Sequence, residues 1–119
     1  MKSAFKLLVA AGLLVAFCCV AQAADVEGIL LDKKCSAKIM KEGQEAAQAH
    51  TRQCALMPDC AKSGYGVLTA DGKFISFDEA GNKKAIQALK ASKKKDNLKA
   101  TVTGEQSGET IKVASIKLL

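Results

Sequence analysis

Cys35, His50, Cys54 and Cys60 are the residues of this chain whose types invite chemistry. Three thiols and the chain's one imidazole could form a tetrahedral Cys₃His site suited to zinc. Met40 and Met57 add soft sulfur, which would also suit copper as Cu(I). The same thiols could instead pair. One disulfide among three cysteines leaves a thiol over, available to a metal, a partner chain or an oxidant. In a third reading the cysteines stay reduced and pack as small apolar groups. All three readings are open at the level of sequence, as are the three possible single bridges.

Spacing narrows the choice. Residues 36–57 have helical character, with Ser36 as candidate N-cap. Helical periodicity places Ile39, Gly43, Ala47, His50, Cys54 and Met57 on one stripe. As one straight helix, the 19 positions between Cys35 and Cys54 would span about 30 Å, at about 1.5 Å per residue. Neither a shared metal nor a disulfide could bridge that distance. Cys35 therefore reaches the others only if the chain reverses, and Gly43 is the natural place for it. On a helix, His50 and Cys54 at i and i+4 share a face. Pro58 should end that helix and turn Cys60 back toward Cys54.

Other chemistry finds less support. The chain has no Cys-x-x-Cys, no Cys-x-x-Cys-His and no His-Glu-x-x-His, which argues against thioredoxin-like, haem-attachment and zinc-protease chemistry. A Cys54–His50 pair would lack a third group to orient the imidazole. Asp78 and Glu79 read as charge at a helix N-terminus, favourable with its dipole. Gly64-Tyr65-Gly66 leads into a strand and is no phosphate loop. The expectation is a non-enzyme with no catalytic and no cofactor-binding residues, its tentative metal ligands being the four Cys and His residues.

The N-terminus bears on where such a site would work. Lys2 and Lys6 precede an uncharged run, Leu7 to Val20, and Ala21-Gln22-Ala23 forms a small-x-small cleavage signal. This pattern predicts a signal peptide over 1–23, removed together with Cys18 and Cys19. Phe17 is too bulky for a lipoprotein cleavage site before Cys18. The apolar run falls short of the roughly 20 residues that cross a bilayer as a helix. The expectation is an exported protein, periplasmic or extracellular, with no membrane insertion after cleavage and a single small domain over 24–119. Loss of Lys2 and Lys6 would take the formal net charge from +6 to +4. Much of that charge sits in Lys93-Lys94-Lys95, read as a solvated helix end. With no Trp and one Tyr to stack on bases, no nucleic acid partner is expected.

The elements that must position the cluster can be read in order. VEGILLDKK is a strand whose consecutive Ile29, Leu30 and Leu31 imply cover on both faces. The helical segment follows, then a hairpin, GVLTADGKFISF, around Asp71-Gly72. A two-residue turn there pairs Ala70 with Lys73, Leu68 with Ile75 and Gly66 with Phe77, putting Leu68, Ile75 and Phe77 on the core face. AGNKKAIQALKASKKK is an amphipathic helix with Ala85, Ile86 and Leu89 inward. The chain closes with a hairpin of LKATVTG and TIKVASIKLL. A change of parity between Val113 and Ile116 predicts a bulge near Ala114-Ser115. Five strands with a helix between the third and fourth match a small OB-like barrel, mainly β, with a helical insertion after strand 1. A two-layer α+β open sheet is the alternative.

Gly28-x-Leu30-x-Asp32-x-x-Cys35, His50-x-x-x-Cys54-Ala55, Cys60-x-x-x-Gly64, Asp71-Gly72-Lys73 and Val102-x-Gly104 together resemble a group of small exported bacterial proteins of unassigned function. The resemblance covers nearly the whole chain after residue 23, and it implies export and architecture only. The functional expectation is an exported non-catalytic binding module whose Cys/His cluster binds a metal or closes as a disulfide. An envelope structural or interaction protein stapled by its cysteines is the alternative, and a thiol redox protein using the odd cysteine is a third.

Overall fold

The computed structural model describes residues 21–119, so the predicted signal peptide lies outside the described residues up to residue 20, with Cys18 and Cys19 in it. The first strand, β1 (Gln22–Asp32), is long enough to serve two neighbours. Its first part runs antiparallel to β4 (Lys99–Ser107), from Gln22↔Gln106 to Ile29↔Lys99. Its last part runs antiparallel to β2 (Tyr65–Leu68), from Ile29↔Leu68 to Asp32↔Tyr65. Gly28 stands where β1 passes from one partner to the other. A Cβ there would lie 2.3 Å from the Leu68 carbonyl oxygen, so only glycine allows the strands to meet.

β2 continues into β3 (Phe74–Phe77), which pairs in parallel with β5 (Thr110–Leu118) through Ser76↔Thr110 and Phe77↔Ile111. β5 returns antiparallel to β4, closing a five-strand barrel in the order β1-β2-β3-β5-β4. The fold is the OB-like barrel with a helical insertion after strand 1, and closure excludes the open two-layer sheet. The predicted bulge is present. Thr103 faces Ser115 and Gly104 faces Val113, leaving Ala114 without a partner.

The β2–β3 hairpin corrects the predicted register by one residue. Val67 pairs with Ile75, Leu68 with Phe74 and Gly66 with Ser76. The loop holds three residues instead of two: Thr69 N–H donates to the Lys73 carbonyl, and Gly72 takes the left-handed conformation at φ 86°. Thr69 Oγ1 also donates to the Asp71 carboxylate, fixing the loop from within. The slip moves Leu68 to the opposite face. Val67, Ile75 and Phe77 fill the barrel interior with Leu30, Tyr65, Leu98 and Val102. Leu68 instead joins Ile29 and Leu31 outside the barrel, under Ile39 and Ala47. The run Ile29-Leu30-Leu31 is therefore covered on both sides, by the core and by the insertion.

That insertion is four short helices: α1 (Lys33–Glu42), α2 (Gln44–Ala49), α3 (Arg52–Ala55) and α4 (Pro58–Ser63). Gly43, at φ 98°, separates α1 from α2, where the reversal was expected. The N-cap of α1 is Asp32, not Ser36, whose buried hydroxyl donates to the Lys33 carbonyl at 2.8 Å. The helix α5 (Glu79–Ala91) plugs the barrel with Ala85 and Leu89. Asp78 caps it, accepting from Gly81 N–H at 3.0 Å and from Val113 N–H at 3.1 Å. Lys93-Lys94-Lys95 lies past its end, where Lys94 Nζ donates to the Asn97 and Leu119 carbonyls.

Candidate metal centre

Asp32 is the hub of the site. It ends β1, its side chain is fully buried, and it stands where the chain turns from barrel into insertion. Asp Oδ2 accepts from Cys35 N–H at 3.0 Å, the capping bond that starts α1. Its other oxygen, Oδ1, accepts from His50 Nε2 at 2.7 Å. Donor atoms of Asp32, Cys35 and His50 all lie within 4.8 Å of one another, a group that could hold a metal ion. Cys60, buried on α4, lies outside this group of three but near enough for the Asp32 charge to bear on its thiol.

Local structure explains why Asp32, Cys35 and His50 meet and why Cys60 lies near them. Two bonds fasten the start of α1 to the end of α4: Lys33 N–H donates to the Gly64 carbonyl at 2.8 Å, and Lys34 N–H to Ser63 Oγ at 3.0 Å. Ser63 Oγ in turn donates to the Cys60 carbonyl at 2.6 Å. These bonds tie the start of the helix that carries Cys35 to the end of the one that carries Cys60. His50 arrives differently. It caps α2 in an extended conformation, and the connection around it is pinned by Asn97 N–H to the Gln48 carbonyl and Arg52 N–H to the Lys95 carbonyl. An open groove lined by Cys35, Lys38, Ile39, Glu42, Ala49 and His50 gives the site a face toward solvent.

Cys54 does not belong to this group. His50 and Thr51 are both extended, with ψ of 126° and 153°, so no continuous helix carries His50 and Cys54 on one face. Thr51 starts a separate helix by accepting from Cys54 N–H at 3.1 Å, and the Cys54 side chain is exposed. Pro58 occupies the first turn of α4, the helix that carries Cys60, and the end of α4 is tied to the start of α1 next to Cys35. Met40 and Met57 are exposed. All three cysteines Cys35, Cys54 and Cys60 carry unbridged thiols in this structure.

No family model, curated protein or solved structure matches this chain. The reading of the site therefore rests on its own geometry.

Spacing arguments missed Asp32 because it looks like the polar end of a strand. The signal was present nonetheless: an Asp directly before a helical segment is a strong N-cap, and its oxygens then face the third residue on, here Cys35. Burial works against an ionised Asp32, but the bonds from His50 and from Cys35 N–H outweigh it, holding the carboxyl below its ordinary 3.8. Burial pushes the Cys35 thiol up to about 12 from 9.0, and the Asp32 charge adds to the effect. Cys60 is raised for the same two reasons.

A pH dependence follows. Thiols whose folded pKa is raised stabilise the fold fully below their unfolded value, and that contribution is lost as pH rises toward the folded one. Reduced, metal-free protein should therefore lose thermal stability between pH about 9 and about 12. Tyr65, pushed by burial up to about 12 from 10.0, contributes in the same window. Thermal melts across this range, with Tyr65→Phe to remove its share, check the expectation.

Tyr65 also ties the insertion to the barrel. Its hydroxyl donates to the Ala55 carbonyl at 2.7 Å in a fully buried setting. Tyr65→Phe orphans that carbonyl and should cost about 1–2 kcal/mol in denaturant unfolding. A larger share of the loss should fall on local protection of α3 amides, read by hydrogen exchange.

Proposed function

We propose that this protein is an exported, non-catalytic binding module whose helical insertion holds one zinc-class metal ion. The ligands are Asp32, Cys35, His50 and Cys60. One observation carries the reading: three donor atoms of different chemistry converge within 4.8 Å in a largely enclosed site. His50 has a side-chain exposure of 9% and Asp32 of 0%. Two thiols beside a buried carboxylate form an arrangement that resists becoming anionic unless a cation is supplied. A divalent ion supplies that charge and replaces the protons of both thiols and the one shared by His50 and Asp32. Two sulfurs, one nitrogen and one oxygen suit tetrahedral zinc. Copper as Cu(I) is less favoured, because the thioethers of Met40 and Met57 are exposed at the surface while Asp32 is fully buried.

The non-catalytic part of the reading rests on the same chemistry. A thiol held up to about 12 is a poor nucleophile near neutral pH. His50 is engaged with Asp32, so it does not activate Cys54. The exported location rests on the signal-peptide pattern alone.

A second reading is favoured by the ties between the start of α1, beside Cys35, and the end of α4, which carries Cys60. In an oxidising compartment these two cysteines would close as a disulfide, and the insertion would be stapled to itself. Mass measurement under native and denaturing conditions, with thiol labelling, separates the two. The metal reading expects one zinc per chain, lost on denaturation, with Cys35, Cys54 and Cys60 all then labelled. One unlabelled pair and no bound metal would establish the staple instead. His50→Ala should weaken zinc binding by at least about tenfold, the lower end of what an outer or inner ligand shell contributes.

A further inference from the structure

A bound metal ion and a Cys35–Cys60 disulfide would draw on the same two sulfurs. Cys35 and Cys60 come from different helices, α1 and α4, whose start and end are tied together. Their backbones are held in that relation by bonds that do not involve sulfur: Lys33 N–H to Gly64, Lys34 N–H to Ser63 and Ser63 to Cys60. A Cys35–Cys60 disulfide would therefore join two segments that the fold already ties to each other. Cys60 is buried, while Cys35 borders the open groove, so a co-reactant reaches Cys35 first.

We infer that Cys35 and Cys60 are a reversible dithiol–disulfide pair whose oxidation empties the metal site. The inference rests on the metal reading above. The oxidant is a low-molecular-weight disulfide of the glutathione class. When the ion is held, Cys35 is a thiolate, and its sulfur attacks the small disulfide, forming a mixed disulfide and releasing one small thiol. Cys60 sulfur then displaces the second small thiol and closes the Cys35–Cys60 bond. Two electrons pass from the cysteines to the small disulfide, whose S–S bond breaks as the protein's forms. The zinc ion leaves, and solvent supplies the protons of the two released small thiols. The oxidised site keeps only the Asp32 carboxylate and the His50 imidazole, which still bond to each other. Two donors are too few for a structural zinc.

The test uses the full chain and its Cys54→Ser variant, loaded with zinc and then titrated with oxidised glutathione. Free zinc is followed by a chromogenic chelator, and peptide mapping locates the disulfide. The expected result is one zinc released per Cys35–Cys60 disulfide, equally in both proteins, with rebinding after reduction. Zinc that loads and stays bound after the Cys35–Cys60 bond has formed overturns the inference. So does a disulfide that forms through Cys54 in preference to this pair. Failure to load zinc before any oxidant is added overturns the metal reading, and the gating with it. Cys35→Ser, which cannot form the pair, should lose oxidant sensitivity in whatever zinc it still binds.

Discussion

Replacing Asp32 by Ala is expected to destabilise the protein by about 3 kcal/mol or more, read from urea unfolding at unchanged m-value. Three losses combine at this one residue. The N-cap bond to Cys35 N–H goes, an effect of about 1 kcal/mol. His50 keeps a nearly buried ring nitrogen with no partner, which costs about 1–3 kcal/mol. The truncation also leaves a void at a fully buried position between β1 and α1. Asp32→Asn separates these effects. It keeps the volume and can still accept from Cys35 N–H, so its loss should be roughly half as large. A change below about 1 kcal/mol for Asp32→Ala would mean that the residue is not the hub of the insertion. Because the Asp32 carboxyl is held below its ordinary range, its stabilising effect is present above about pH 4 and is lost as pH falls through the folded value. The wild-type and Asp32→Asn stabilities should therefore converge in acid.

Gly104→Ala is the second large effect, and it tests the barrel. At the bulge, β4 comes so close to β5 that a Cβ on Gly104 would lie 2.1 Å from the Lys112 carbonyl oxygen and 3.1 Å from Val113 Cα. These are backbone atoms, so no side chain can rotate away. The β4–β5 ladder must open at the bulge, and Val113, buried in the core beside Ile111, moves with it. The expected cost is about 3 kcal/mol, at the upper end for overpacking. Gly108→Ala is a useful contrast, since nothing lies within 4 Å of its Cβ and only its φ of 61° opposes the change. A Gly104→Ala protein as stable as wild type would contradict the close pairing of β4 with β5 at this point.

Much of the architecture was legible because its signals are local. Ala114 announces its bulge by a parity change between Val113 and Ile116. Gly43 marks the break in the insertion because it alone in that stretch adopts a positive φ without strain. The hairpin shows where such reading stops. Asp-Gly identifies the turn, but two-residue and three-residue loops share that pair, and the choice between them shifts every side chain to the opposite face. Here the Thr69 hydroxyl, bonded to Asp71 and to the Lys73 carbonyl, goes with the longer loop.

The candidate site was half legible for a related reason. Cys35, His50 and Cys60 were among the residues singled out by type, but periodicity grouped His50 with Cys54 as if one helix ran through both. Thr51, a capping residue between them, ends that continuity. Asp32 was hidden by its place at the end of an apolar strand, although the same residue begins α1. What spacing cannot supply is the long-range contact of α1 with α4, set by backbone bonds around Ser63 and Gly64.

The most direct test of the central claim, that the site is built from Asp32, Cys35, His50 and Cys60 without Cys54, is the absorption spectrum of the cobalt-substituted protein. Tetrahedral Co(II) reports each thiolate ligand through its sulfur-to-metal charge-transfer band. The expected spectrum is that of two thiolates, falling to one in Cys35→Ser and in Cys60→Ser and unchanged in Cys54→Ser. Loss of the band in Cys54→Ser, or a band indifferent to Cys35→Ser, would contradict it.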